Sequence, residues 1–211
     1  MALILFDFDG VLADTLGDLL QFGQEVCDEL GISHKVVRED LSNLEVMSFA
    51  TYGRACEVPE ALIREFVRRC TGKFEEKKSA PAIFDGLAEV VRELSAQHVI
   101  AVVTGNTTRN VNAFLLEHGL REHVRAVYGV DMPGSKVEKI LLAQDQFSVG
   151  KEAVFLVGDS LSDVHAARAA HVKSIAVSWG HQSLDMLIRG EPDYVIHSPV
   201  ELWKFFASDA A

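Results

Sequence analysis

An apolar run, Leu3-Ile4-Leu5-Phe6, stops abruptly at Asp7-Phe8-Asp9-Gly10, and this boundary constrains the rest of the chain. An apolar run of this length beside a glycine reads as a buried parallel strand and its exit loop. In an open parallel sheet, ligands bind outside the carboxyl ends of the strands. Asp7 and Asp9 are therefore expected where chemistry occurs. Side chains alternate along an extended chain. Asp7 and Asp9 should share one face, with Phe6 and Phe8 turned the other way into apolar packing. Two carboxylates held this close repel each other unless a cation or a proton intervenes. The pair makes chemical sense around a divalent metal, or with one aspartate as nucleophile and the other as acid.

After this strand the chain changes character twice. From Leu16 to Lys78 it reads as helical with no clear strand. Leu16, Leu19, Leu20, Phe22, Gly23, Val26 and Leu30 form one helical stripe that ends at Gly31. Pro59 opens a further helix with Leu62, Ile63, Phe66 and Val67 on one face. Glu75 to Lys78 reads as a solvated helix end, and Ser79-Ala80-Pro81 breaks the pattern. Beyond Pro81 helices and strands alternate. Helices are expected over 86–97, 107–118, 135–147, 160–171 and 200–207, and strands over 99–103, 126–130, 153–157, 174–177 and 194–196. This alternation predicts an α/β fold, a parallel sheet flanked by helices. The expected division is a core of residues 1–14 and 81–211, with a small helical cap of residues 15–80 inserted after the first strand.

Composition narrows the function classes. The 211 residues suffice for one full domain with a modest insertion, and 48% hydrophobic content supports a real core. The net charge of −11 argues against a nucleic-acid surface and against an anionic membrane surface. No stretch approaches the roughly 20 apolar residues of a membrane span. The apolar start lacks the basic region of a signal peptide. Cys27, Cys56 and Cys70 form no CxxC pair and read as buried free thiols in a reducing cytoplasm. The eight histidines include no HExxH pair, so a histidine-based zinc site is not expected. His34, His165, His171 and His181 have no visible partner in the sequence and are taken as structural or surface residues.

Three later strand ends carry polar groups. One leads into Thr104-Gly105-Asn106, one towards Lys136, and one into Gly158-Asp159-Ser160-Leu161-Ser162-Asp163. With the first strand they bring a hydroxyl, an ammonium and four carboxylates to one cleft. Such a set suits phosphate and magnesium: hard oxygen ligands for the metal, Thr and Lys for phosphoryl oxygens, and an aspartate nucleophile.

The order DxDG, strand-Thr, Lys and GDSxxD resembles the haloacid-dehalogenase-like hydrolase superfamily, and within it the phosphoglycolate-phosphatase-like phosphatases with a helical cap. The resemblance covers essentially the whole chain and implies a Rossmann-like sheet. It implies that Asp7 attacks phosphorus to form an aspartyl-phosphate, and that Asp9 protonates the leaving oxygen and then activates water. It further implies Mg2+ held by Asp7, the Asp9 carbonyl and Asp159, with Asp163 nearby. Thr104 and Lys136 would hold phosphoryl oxygens, helped by backbone N–H groups around Gly10, Gly105 and Asn106. The implied substrate is a small phosphorylated metabolite, phosphoglycolate-like or a sugar phosphate, for a monomer or homodimer. Two departures stand out. Ser135-Lys136-Val137-Glu138 replaces the Lys-Pro-x-Pro run common in the family, and a glycine enters the second motif. Dehalogenase relatives lack the second aspartate, so Asp9 favours phosphoryl transfer. A phosphotransferase or mutase would use the same residues, and a non-catalytic ligand-binding module should have lost one of them.

Plainer readings compete at several positions. Asp7 and Asp9 could simply cap a turn, and Asp159 or Ser160 could serve only as a helix N-cap. An EF-hand reading of the DxD pair fails because Phe6 and Phe8 make a strand and the downstream Glu is missing. Gly129 to Lys136 nearly imitates a P-loop, but the Lys is displaced by one and Val137 stands where Ser or Thr should hold magnesium. In the helical segment, Thr51, Tyr52 and Arg54 could reach a substrate anion, but a solvated turn is the simpler expectation.

Overall fold

The computed structural model describes residues 1–77 and 79–208. Lys78 of the expected helix end, and the last three residues of the expected core, lie outside them. The chain starts with β1 (Leu3–Phe6) and the two-residue β2 (Ala13–Asp14), followed by α1 (Leu16–Glu29), α2 (Glu39–Ser42), α3 (Phe49–Ala55) and α4 (Ile63–Glu76). It then runs through β3 (Ala82–Ile83), α5 (Leu87–Ser95), β4 (Val99–Val103), α6 (Thr108–Glu117), β5 (Ala126–Tyr128) and α7 (Lys136–Phe147). The remainder is β6 (Val154–Gly158), α8 (Leu161–Ala170), β7 (Lys173–Val177), α9 (Leu184–Arg189), β8 (Tyr194–Ile196) and α10 (Pro199–Ser208).

Six strands form one sheet in the order β5-β4-β1-β6-β7-β8, every pairing parallel. The strand with the DxDG sequence thus lies between β4 and β6, near the middle. The strands are continuous apolar runs because helices cover both faces. Ile4, Phe6 and Phe8 pack with α5, α6 and α10 on one face. Leu3 and Leu5 pack with α7 and α8 on the other. Phe8 meets Phe114 edge-on at 4.9 Å, an arrangement favoured by the ring quadrupoles.

Helices α1–α4 fill the interval between β2 and β3, which pair antiparallel so that the chain leaves and returns at one place. These helices bury their own apolar cluster, including Val26, Leu41, Tyr52, Ile63 and Phe66. All three cysteines are buried as free thiols; Cys27, Cys56 and Cys70 belong to this cluster. Thr51, Tyr52 and Arg54 have structural partners. Thr51 completes a capping box with Ser48, the Tyr52 hydroxyl donates to the Leu19 carbonyl at 2.9 Å, and Arg54 pairs with Glu60 at 2.7 Å. His34 does have a partner, since its Nε2 lies 2.8 Å from Asp40 Oδ2.

Candidate active site

Asp7 sits immediately beyond β1, fixed by its N–H donating to the Val157 carbonyl at 2.8 Å. Its side chain is 14% exposed and faces Lys136, whose Nζ lies 3.1 Å from Asp7 Oδ1 and 2.6 Å from Asp163 Oδ1. The well-aligned hydrogen bond goes to Asp163. Asp7 Oδ1 is therefore buried with an ion-pair neighbour but no aligned donor among the described residues. Burial, then the Asp163 and Asp9 charges, push the Asp7 carboxyl up to about 6 against the pull of Lys136.

Lys136 opens α7 behind a capping box of Ser135 and Glu138. Burial disfavours its charge, but Asp163 and Asp7 outweigh that cost and hold the ammonium above its ordinary range. Asp163 is held by its own helix. Ser160 caps α8, and both its N–H and its hydroxyl donate to Asp163 Oδ2. The helix-cap reading and a functional one thus coexist in one side chain.

Asp159 ends the β6 turn and is buried. Burial and the Asp163 and Asp7 charges raise its carboxyl well above the usual carboxylate range. The His181 N–H donates to Asp159 Oδ2 at 2.7 Å. Two glycines make room for this carboxylate. A Cβ on Gly10 would fall 2.0 Å from Asp159 Oδ2, and Gly10 has φ +78°, where side chains are rare. A Cβ on Gly180 would fall 2.3 Å from Asp159 Cβ.

Asp9 turns elsewhere. Asn106 Nδ2 donates to Asp9 Oδ2 at 3.1 Å; burial still raises its carboxyl. The Thr104 hydroxyl accepts from the Asn106 N–H at 3.0 Å. The Gly10 N–H donates to the Ala13 carbonyl at 2.9 Å. Of the three backbone donors expected around a phosphate, those of Gly10 and Asn106 are thus spent inside their own turns. Only that of Gly105 has no partner among the described residues.

Of the two alternatives for His181, structural or surface, the structure shows the first. It is buried and adjoins Asp159, with Nδ1 3.5 Å from Asp159 Oδ2 and Nε2 3.1 Å from the Thr15 hydroxyl. Burial pushes its imidazole down to about 4, so the ring is neutral near pH 7. Its position just past the carboxyl end of β7 is the signal that could have found it.

The sequence model of the haloacid dehalogenase-like hydrolases matches residues 4–177. The chain belongs to this family. A phosphoglycolate phosphatase from Synechococcus elongatus is 26% identical over 208 residues, covering 96% of this chain and 95% of the relative. One from Agrobacterium fabrum is 30% identical, covering 92% of this chain and 87% of the relative. A haloacid dehalogenase-like hydrolase from Streptococcus pneumoniae shares the fold, with a TM-score of 0.84 at 21% identity over 98% of both chains. Among the haloacid dehalogenase-like hydrolases this chain is a phosphatase-type enzyme. No described helix is long and apolar enough to cross a membrane.

The residues at this hydrolase's site fit a divalent cation. One oxygen from each of Asp7, Asp159 and Asp163 lies within 4.8 Å of the others. All three donors are hard carboxylate oxygens, as a magnesium-like ion requires. The buried Asp7 oxygen without an aligned donor, and the weakened acidities of Asp7 and Asp159, mark an excess of negative charge that Lys136 does not neutralise. The Asp9 carboxylate is not in this cluster.

Proposed function

We propose that the chain is a Mg2+-dependent phosphatase that hydrolyses a small phosphorylated metabolite through an aspartyl-phosphate on Asp7. The observation carrying this reading is the Asp7 carboxylate, its Oδ1 buried beside Lys136, with Asp159 and Asp163 converging on it. The metal would be held by Asp7, Asp159 and Asp163 with the Asp9 carbonyl, and when bound it supplies the positive charge that lets one anion approach another.

In the first step an Asp7 oxygen attacks phosphorus. The Asp7 O–P bond forms, the ester P–O bond breaks, and Asp9 gives its proton to the leaving oxygen. In the second step Asp9 takes a proton from water, which attacks phosphorus and releases phosphate and Asp7. Burial raises the Asp9 carboxyl, which favours holding that first proton. Lys136 and the Thr104 hydroxyl would hold phosphoryl oxygens, with the Gly105 N–H and the Asn106 amide at the same loop. Gly10 serves by lacking a side chain beside Asp159 rather than as a donor. Residues 15–80 would act as a cap over a core of 1–14 and 81–211, excluding water while the aspartyl-phosphate exists. The relatives at 26% and 30% identity make phosphoglycolate the first substrate to try, with sugar phosphates next. A cytoplasmic setting suits the free thiols.

The test measures phosphate release from a panel of such esters, with magnesium and with chelator, for the parent and Asp7→Asn. Turnover should require magnesium and fall below about one part in a thousand in the variant. An active Asp7→Asn protein would overturn the nucleophile. Phosphate moved to another carbon, rather than released, would make the enzyme a mutase.

A further inference from the structure

The loop from Ser178 to Ser183, between β7 and α9, bonds to both parts of the molecule. Towards the sheet, the His181 N–H donates to Asp159 and Gln182 Oε1 accepts from the Leu161 N–H at 2.6 Å. Towards the helical insertion, Gln182 Nε2 donates to the Leu44 carbonyl, and the Ser183 N–H donates to the Ser42 carbonyl at 2.9 Å. From the insertion, Arg38 donates to the Gly180 carbonyl at 2.9 Å. The orientation of the Gln182 amide follows from its partners. An N–H can only donate, so Leu161 faces the amide oxygen; a carbonyl can only accept, so Leu44 faces the amide nitrogen.

Gln182 is 1% exposed. A buried amide must keep both ends partnered. Here one end caps the first N–H of α8, directly after Asp159 and Ser160, and the other end is satisfied by the insertion. We propose that Gln182 is a positioning residue, through which the seating of α1–α4 on the sheet sets the alignment of the Asp159–Asp163 turn. The inference rests on the reading of that turn as metal-binding. If the insertion lifts, the contacts from Arg38, Ser42 and Leu44 go together. The Gln182 amide then loses its donor's partner, and the loop that presents the His181 N–H to Asp159 is freed. Metal carboxylates are thus best aligned when the insertion is down, although no insertion residue is among them.

Arg38 gives a test whose sign separates this from simple electrostatics. Removing a positive charge near a cation site strengthens cation binding. Loosening the tie weakens it. Mg2+ binding is measured by calorimetry on the full chain for the parent, Gln182→Met, Arg38→Met and the double variant. Amide hydrogen exchange at Leu161 is followed in the same proteins without metal. We expect Mg2+ affinity to fall about three- to tenfold in Gln182→Met, the scale of one or two lost hydrogen bonds. Arg38→Met should weaken it about twofold or more, and the double variant should fall short of the product of the two. Leu161 exchange should quicken in each. Gln182→Glu keeps the acceptor for Leu161 but loses the donor to Leu44, so exchange at Leu161 should still quicken, by less than in Gln182→Met; exchange as slow as in the parent would show that the tie to the insertion does not hold the turn. Unchanged or tighter Mg2+ binding in Arg38→Met, with unchanged exchange, overturns the inference. Arg38 is exposed, so that variant stays informative if Gln182→Met does not fold. A folded parent that binds no Mg2+ overturns the metal reading instead, and the exchange measurement then decides the tie alone.

Discussion

At the scale of the residue, the site concentrates charge that water cannot screen. Asp7 binds its proton more tightly folded than unfolded, since its carboxyl rises from 3.8 to about 6. A raised carboxylate costs the folded state stability as pH climbs through that interval. The neutral His181, lowered from 6.5 to about 4, has the opposite slope over much of the same range. The difference between Asp7→Asn and parent cancels the histidine. In chelator, the variant's advantage in thermal unfolding should grow from pH 4 to pH 6 and level off above; a flat difference would refute the shift. Glycine gives a second contrast. Gly10→Ala should cost at least about 2 kcal/mol in chemical denaturation, from positive φ and the clash with Asp159. Gly105→Ala should cost far less, because a Cβ there meets nothing within 4 Å. The four aspartates and Lys136 were legible because they follow recognisable strands at motif spacing. Gln182 was not, because a lone polar residue in a loop carries no periodic signal, and what makes it matter is a partner far away in sequence; His181 offered only its place past the carboxyl end of β7.

At the scale of the element, short motifs aim the long side chains. Lys136 is the first residue of α7, and its direction depends on the Ser135–Glu138 capping box. Ser135→Ala should cost about 1 kcal/mol of stability. It should also lower kcat while leaving Lys136 in place; full activity would show that the box does not aim the lysine. The long elements were readable because their apolar periodicity runs over many residues. The two-residue strands β2 and β3, the single-turn α2 and the six-residue α9 were not. Elements that short are made by tertiary contacts rather than by propensity. The same cause trims the strand expected over 126–130 to Ala126–Tyr128. Beyond Tyr128 the Val130 N–H donates to the Asn106 carbonyl at 2.8 Å, tying that stretch to the Thr104 loop instead of extending the ladder.

At the scale of the whole molecule, the insertion is attached at two places of different kinds. The β2–β3 pair is the root through which the chain leaves and returns, while the Arg38, Ser42 and Leu44 contacts are a releasable seam. Asn43 and Ser183 face each other across that seam, with side-chain oxygens 3.3 Å apart and a backbone hydrogen bond next to them. Cysteines at both positions should form a disulfide that fixes the insertion down. Turnover should then drop more than about tenfold on oxidation and return with reductant, if opening admits substrate. Undiminished turnover in the oxidised protein would show that substrate enters without the seam parting. The sheet order has a consequence for how the chain is made. β1 lies between β4 and β6, whose residues begin at Val99 and Val154. At about 5–20 residues per second, this apolar strand leaves the ribosome many seconds before either neighbour exists. During that time it is an unpaired, aggregation-prone segment, while the insertion behind it can already collapse on its own cluster. The strand that leads into Asp7 is thus the first piece of the sheet synthesised and the one that waits longest to be paired on both sides, so slow translation or chaperone loss should expose it before any other part of the site.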